Sequence, residues 1–193
     1  MSDDGYSLSH WEVLRRDSHA DCRVFSVLRK TCRHPVRKRE GEFFVIQSPA
    51  WVNVIALTPE QKLILVRQYR FGTEGISLEI PGGMIDGGES PVAAAVRELR
   101  EETGYVGRDA REIGVVHPNP AIQENSCHLV LVEDVRMEAE LDWDGNEELE
   151  TVIADVDETF ALARAGGITH SLVIDAFFFF LPHWERLKSV KRM

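Results

Sequence analysis

Gly83-Met-Ile-Asp-Gly-Gly-Glu89, followed by Ser90-Pro-Val-Ala-Ala-Ala-Val-Arg-Glu-Leu-Arg-Glu-Glu-Thr-Gly-Tyr105, is the stretch that decides how this chain folds. Its second half reads as a helix with both ends marked. Ser90 can cap an orphan amide of the first turn, and Pro91 sits where its missing N–H costs nothing. Val92, Ala95, Val96, Leu99 and Thr103 recur on one face, and Gly104 suits the left-handed turn that ends a helix. Glu98, Glu101 and Glu102 fall within about 100° of one another, on a face distinct from Val96 and Leu99. Carboxylates that close repel. A hard divalent cation relieves the repulsion, because carboxylate, carbonyl and water oxygens are its preferred ligands. Glu89 can add an oxygen, and the glycines let backbone carbonyls approach, which describes an octahedral Mg²⁺ or Mn²⁺ site. The same residues also suit a solvated charged face, with Arg97 and Arg100 paired to the glutamates.

Working outward, Ser77 to Ile80 predicts a short strand stopped by Pro81-Gly82-Gly83. Upstream of it, Trp51 to Leu57 and Leu63 to Tyr69 flank a Thr58-Pro59-Glu60-Gln61 turn and read as a hairpin. Earlier still, Val24 to Leu28 and Phe43 to Gln47 suggest an antiparallel pair, separated by a polar segment holding Pro35 and Gly41. Downstream, strands are expected near Ile113 to His117, His128 to Val135 and Leu149 to Ile153. Two helices follow, about Glu158 to Ala165 and His170 to Leu181, with Pro182 stopping or kinking the second. Phe177 to Phe180 read as a buried helix. Hairpins without regular βαβ alternation favour an α+β or mixed-sheet sandwich over a doubly wound fold. The domain organisation expected is residues 1–50 as a small antiparallel β arm and residues 51–193 as the main domain.

The chain has 193 residues, of which 44% are hydrophobic and 28% charged, so it should fold alone and the fibrous and disordered classes are disfavoured. With 22 Lys and Arg against 32 Asp and Glu, the net charge of −10 argues against binding nucleic acid or anionic membrane surfaces. A polyanionic substrate must then be met by local cations, a metal or a few arginines. The apolar run around Ala176 to Leu181 is far shorter than the roughly 18 to 20 residues of a membrane span. Three cysteines without paired spacing and an acidic, polar start lead to the expectation of a reduced, cytoplasmic protein.

The full pattern, Gly, five residues, Glu, seven residues, then Arg-Glu-apolar-any-Glu-Glu-any-Gly-apolar, resembles the signature of the Nudix hydrolases. Seven positions demand one residue type, and at about one in fifteen each a chance match is on the order of one in 10⁸, which leaves little to the solvated-face alternative. Arg67-Gln-Tyr-Arg70, Leu78-Glu-Ile-Pro-Gly-Gly83 and Glu101-Glu-Thr-Gly-Tyr105 are similar to the ADP-ribose and nucleoside-diphosphate-sugar pyrophosphatases. So is Pro120, sixteen residues past Gly104, although His117-Pro-Asn-Pro-Ala departs from the Pro-Ser-Pro-Gly form common in that group.

This resemblance implies an αβα sandwich around a mixed β-sheet, and hydrolysis of the pyrophosphate bond of ADP-ribose or a related nucleotide sugar with Mg²⁺ or Mn²⁺. It implies Glu98 and Glu102 as principal metal ligands, with Glu101 and the Gly82 carbonyl as further ones, and Arg97 as the residue that orients the glutamates. Glu89 would place Arg97 or an outer metal. The catalytic base would come from the acidic loop Asp142-Trp-Asp-Gly-Asn-Glu147-Glu148, Glu147 first and Glu148 second, with Glu101 behind them. Arg70, Glu79 and Pro120 would face substrate. Trp51, Tyr69, Phe71 and Tyr105 are candidates for base stacking or core, and the scattered histidines receive no role. The arm has too few apolar residues for a core of its own, which leads to the expectation of a homodimer. Two other readings stay open: a Nudix enzyme for oxidised nucleoside triphosphates or dinucleoside polyphosphates, and a silent ADP-ribose-sensing module.

Overall fold

The computed structural model describes residues 8–143 and 148–191 and divides into two compact units. The smaller joins the residues up to Ser48 with Asn119–Asn125; the larger holds Pro49–Pro118 and the chain from Ser126 on.

The smaller unit is a three-stranded antiparallel meander of β1 (Glu12–Asp21), β2 (Ser26–Arg33) and β3 (Glu40–Gln47). Only two of these strands were expected. In β1 the sequence Glu-Val-Leu-Arg-Arg-Asp-Ser-His-Ala-Asp carries no apolar alternation, because almost every residue of the strand is exposed and two register shifts interrupt the pairing. The Asn119–Asn125 segment joins this unit through its backbone. Ile46 N–H donates to Ile122 O (2.7 Å) and Glu124 N–H to Ile46 O (3.1 Å).

In the larger unit β4 (Trp51–Ala56), β7 (Gly82–Met84), β9 (Asp109–Val116) and β10 (Cys127–Glu133) form one sheet in the order β7-β4-β10-β9. It is mixed: β4 and β10 run parallel, and the other pairs are antiparallel. A second sheet orders β5 (Lys62–Arg70), β6 (Gly75–Glu79) and β12 (Leu149–Asp155) as β12-β5-β6, and β8 (Tyr105–Val106) pairs with β11 (Arg136–Met137). Helices α1 (Pro91–Thr103), α2 (Val156–Arg164) and α3 (Ser171–Lys191) complete it.

The hairpin expected from Trp51 to Tyr69 does not form. The turn is present, with Thr58 N–H donating to Lys62 O at 2.9 Å, but the two runs meet only at a Leu57–Leu63 bridge before entering different sheets. Strand β4 is a central strand whose edges are taken by β7 and β10, while β5 is taken by β6 and β12. An apolar run marks a buried strand without saying which strand it pairs with.

Strand alternation builds the sandwich. Val52, Val54 and Ala56 face Ala94, Ala95 and Leu99 of α1, whereas Ile55 and Leu57 join Phe160 of α2 and Leu172, Phe177, Phe180 and Trp184 of α3. The mixed α+β architecture is thus layered helix, sheet, helix. Pro182 does not stop α3, which continues to Lys191. The cost of an interior proline, about 3 kcal/mol, is offset by burial downstream of it: Trp184 is in the core and its indole N–H donates to Asp157 Oδ1 at 2.8 Å. The phenylalanine run is also only half buried. Four consecutive residues wrap round a helix, so Phe177 and Phe180 enter the core while Phe178 is 72% exposed. Among the described residues no helix is long and apolar enough to cross a membrane.

Candidate active site

Helix α1 begins and ends as its sequence dictates. Ser90 Oγ accepts from Ala93 N–H (3.2 Å), and Gly104, at φ 72°, donates its N–H to Arg100 O. The helix buries Ala94, Ala95, Leu99 and Thr103, and Glu102 with them at 4% exposure. A buried carboxylate needs partners; Gly82 N–H donates to Glu102 Oε2 at 3.1 Å.

The glycines bring strand and helix together. Strand β7 pairs with β4, which sets Gly82 opposite Asn53 and Gly83 opposite Val52. A Cβ on Gly82 would collide with the Val52 carbonyl and lie 2.8 Å from Asn53 Oδ1; on Gly83 it would strike the Glu98 carboxylate, 2.7 Å from Oε2. At Gly82 the obstacle is backbone and no side chain fits; at Gly83 it is the end of the Glu98 side chain, which a Cβ would push off the strand.

Arg97 ties the acidic groups together. Its Nη1 donates to Glu98 Oε1 (2.9 Å) and Glu101 Oε2 (3.1 Å), its Nε to Glu89 Oε1 (3.2 Å), and its Nη2 to Glu89 Oε2 and the Met84 carbonyl (both 3.0 Å). Those bonds raise the guanidinium's proton affinity, that to Glu89 first, and the Arg97 bond holds the Glu89 carboxyl below its ordinary range. Glu89, Glu98 and Glu101 are therefore gathered on one guanidinium. Among the described residues no three His, Cys, Asp or Glu side chains form a ready-made metal cluster. The donor types nevertheless suit a hard cation: Glu98, Glu101 and Glu102 are carboxylates on one helix, beside glycine backbone that no Cβ obstructs.

Arg70 and Glu79 are placed on each other. The Arg70 Nε and Nη2 donate to the two Glu79 oxygens at 2.8 and 2.6 Å, across the β5–β6 pair. Burial alone pushes the Glu79 carboxyl up, but the Arg70 fork and His170, with Nε2 3.9 Å away, hold it below the usual carboxylate range. His170, to which the sequence assigned no role, is thus a neighbour of this pair; its position just before α3 gave no spacing signal. Glu148 is exposed immediately before β12, and Glu147 lies outside the described residues. Pro120 is exposed in the segment that joins the smaller unit. Tyr105 is buried in the cluster beneath α1 and Trp51 packs against the cluster beneath α2 and α3, whereas Tyr69 and Phe71 are exposed and meet edge to face at 5.2 Å. Trp143 was also missed: its indole N–H donates to the Glu102 carbonyl at 3.0 Å.

Several known proteins are similar to this chain. An ADP-ribose pyrophosphatase of Bacillus subtilis is 31% identical over 122 residues, covering 63% of this chain and 66% of that protein. An ADP-sugar pyrophosphatase of Mus musculus is 46% identical over 70 residues, 36% of this chain and 32% of the mouse protein. The alignments span less than two thirds of the curated relatives' own length. The crystal structure of an ADP compounds hydrolase superposes with a TM-score of 0.82 at 26% identity, covering 97% of this chain and 99% of that one. The NUDIX domain profile matches residues 48–175, and with the glycine strand and glutamate helix lying inside that span, the chain belongs to the NUDIX domain family.

Proposed function

We propose that the chain hydrolyses the pyrophosphate bond of ADP-ribose or a related nucleoside diphosphate sugar, giving a nucleoside monophosphate and a sugar phosphate, with Mg²⁺ or Mn²⁺ as cofactor. The observation that carries this is the junction of β7 with α1: a buried Glu102 carboxylate on the Gly82 amide, with Glu98 against Gly83. The names of the relatives, ADP-ribose pyrophosphatase and ADP-sugar pyrophosphatase, supply the substrate class.

In this reading Glu98 and Glu102 are the principal metal ligands, with Glu101 and the Gly82 carbonyl as further ones. The metal, once bound, lowers the pKa of a water and neutralises charge on the non-bridging phosphate oxygens. Arg97 orients the glutamates, the supporting part that charged neighbours of a metal site commonly play. Glu147, or else Glu148, takes the proton from the attacking water. Arg70, oriented by the Glu79 carboxylate, contacts a substrate phosphate, an anion that a guanidinium fork fits; Pro120 lines the substrate. The smaller unit packs on a second copy, giving a homodimer.

The test is product analysis. Purified protein with Mg²⁺ or Mn²⁺ should release AMP and ribose 5-phosphate from ADP-ribose. Turnover undiminished in excess chelator would overturn the metal role, and faster cleavage of oxidised nucleoside triphosphates or dinucleoside polyphosphates would overturn the substrate.

A further inference from the structure

We infer that His170 is a second donor, beside Arg70, to a phosphate of the substrate. The identity of that ligand rests on the hydrolase reading above, which already gives Arg70 this part; the placement of the imidazole does not.

Three elements bring the group together: Arg70 ends β5, Glu79 ends β6 and His170 immediately precedes α3. Glu79 is 2% exposed, and a carboxylate buried that far needs donors around it. The Arg70 fork supplies two, and the Ser77 hydroxyl supplies another. Its acceptors are thus well used before His170 is counted. The imidazole Nε2 stands 3.9 Å from Glu79 Oε2, beyond the reach of about 2.7–3.2 Å of an N–H···O bond. Whatever hydrogen it carries is not spent on Glu79.

The other ring nitrogen decides which hydrogen that is. Nδ1 is buried and has no hydrogen-bond partner among the described residues, so the exposed 31% of the side chain belongs to its other atoms. A proton on Nδ1 would be a buried donor with nothing to receive it, whereas on Nε2 it faces a carboxylate. Neutral or protonated, the imidazole therefore presents Nε2–H. The backbone keeps it there: His170 O accepts from Val173 N–H (3.1 Å) and Ile174 N–H (3.2 Å), and Leu172 and Val173 are in the core.

Charge supplies the reason for a second donor. Arg70 and Glu79 cancel each other, so the pair offers an anion directed N–H groups and little net attraction. A guanidinium carries five N–H donors, of which the fork uses two. Arg70 Nη2 and His170 Nε2 approach the same oxygen, Glu79 Oε2, at 2.6 and 3.9 Å, so the two donors stand side by side. Both side chains are open to solvent, Arg70 at 42%. A phosphate, with several oxygens around one centre, can take hydrogen bonds from both at once, and bonds to a charged acceptor are the strong ones.

The discriminating variants are His170→Phe, which keeps a ring and removes the donor, and His170→Gln, which restores an N–H at a similar reach. With ADP-ribose and saturating Mn²⁺, His170→Phe should raise KM by about tenfold or more, the loss of one hydrogen bond to a charged group. Its kcat and half-activating Mn²⁺ concentration should stay within about twofold of the parent, the mark of binding made equally to substrate and transition state. His170→Gln should recover most of the rise. An independent reading comes from nitrogen NMR of the imidazoles in the full-length protein with Mg²⁺. AMP or ribose 5-phosphate, which between them carry both phosphates of ADP-ribose, should move the Nε2 resonance of His170. A KM within about twofold of the parent in His170→Phe overturns the proposal, as does a kcat or a half-activating Mn²⁺ concentration that shifts in step with KM. So does a rise in KM that His170→Gln leaves in place, or an Nε2 resonance that neither probe moves. A parent protein that turns over no nucleotide sugar would instead sink the hydrolase reading, and the resonance would still decide whether His170 meets a phosphate.

Discussion

At the junction of β7 with α1, Gly82, Gly83, Arg97 and Glu102 each meet a specific partner, whereas between Glu12 and Gln47 the strands are held chiefly to each other. In the first region a backbone carbonyl leaves Gly82 no room for a Cβ, a carboxylate is buried on a backbone amide, and one arginine binds three glutamates and a carbonyl. In the second, the backbone ladders run the length of the sheet, yet of its described hydrophobic side chains only Cys32 is buried. The side-chain contacts there include exposed ion pairs such as Arg33–Glu40 and Arg15–Asp17, which are individually worth little, and edge-on ring contacts of Trp11 with Phe43 and of His19 with Phe44. A region whose residue types are dictated by contact tolerates little change; a region specified mainly by its ladders leaves its surface free for something else.

The sharpest test lies in the helix carboxylates. Glu102→Gln should lower turnover by several orders of magnitude, because the buried group both meets Gly82 and is proposed to hold the metal. Glu98→Gln should shift the metal-activation curve to higher concentration. Glu147→Gln should instead lower its plateau by about 10²- to 10⁴-fold, as for loss of a general base. If Glu147→Gln and Glu148→Gln each keep more than about a third of the parent rate at saturating metal, the proton acceptor lies elsewhere, Glu101 being next.

Next in size is Gly104→Ala. The residue sits at φ 72°, and an added Cβ would press on Ala139 O at 2.7 Å. Left-handed backbone in a non-glycine residue costs about 1–3 kcal/mol, and the clash adds to it. A substitution in an exposed stretch of β1 such as Ser18→Ala should stay within about 0.5 kcal/mol. Denaturant midpoints compare the two directly, and equal midpoints would erase the contrast between the regions.

The same contrast explains what was legible in the sequence. Helix α1 could be read to the residue because its caps, Ser90 and Gly104, act on neighbours a few positions away. The glutamates could be read because their spacing is a property of the helix itself. What depended on distant partners was not legible. The apolar runs of β4 and β5 declared strands without declaring that each would pair elsewhere, and of the stop or kink that Pro182 signalled, the stop does not occur, because Trp184 beyond it is buried. Strand β1 gave no signal because its residues face outward. Trp143 and His170 reach the site through folding alone, with no spacing to announce them.

A smaller effect comes from Glu79. Its carboxyl is held below the ordinary value of 4.5 by Arg70 and His170 against the opposing push of burial. A depressed folded value stabilises the protein above the unfolded value, and that contribution is lost as the pH falls through the folded one. At pH 7, then, Glu79→Gln should be less stable than the parent by about 1 kcal/mol, the partial exposure of Arg70 keeping the figure low. The gap should close as the pH drops below 4.5. Urea midpoints at a series of pH values would show it; a gap that persists undiminished into the acid range would mean that Arg70 and His170 do not stabilise the ionised form.

The smallest expected change in the stability of one chain is on the N-terminal sheet. Phe43 and Phe44 are adjacent in β3, so they point to opposite faces, and they are 45% and 49% exposed. Neither face is therefore fully covered by its own chain, and a unit this small seldom stands without staples or a partner. Phe44→Ser should leave the unfolding midpoint of the isolated chain within about 0.5 kcal/mol of the parent, as for other exposed positions. If a second copy completes the sheet, the same change should raise the dimer dissociation constant, seen by light scattering as a lower average mass at micromolar concentration. A parent that is monomeric and fully active at that concentration would break the argument, leaving the exposed phenylalanines without a partner of this kind. A variant destabilised by several kcal/mol while still monomeric would break it from the other side, by showing that Phe44 serves a core within its own chain.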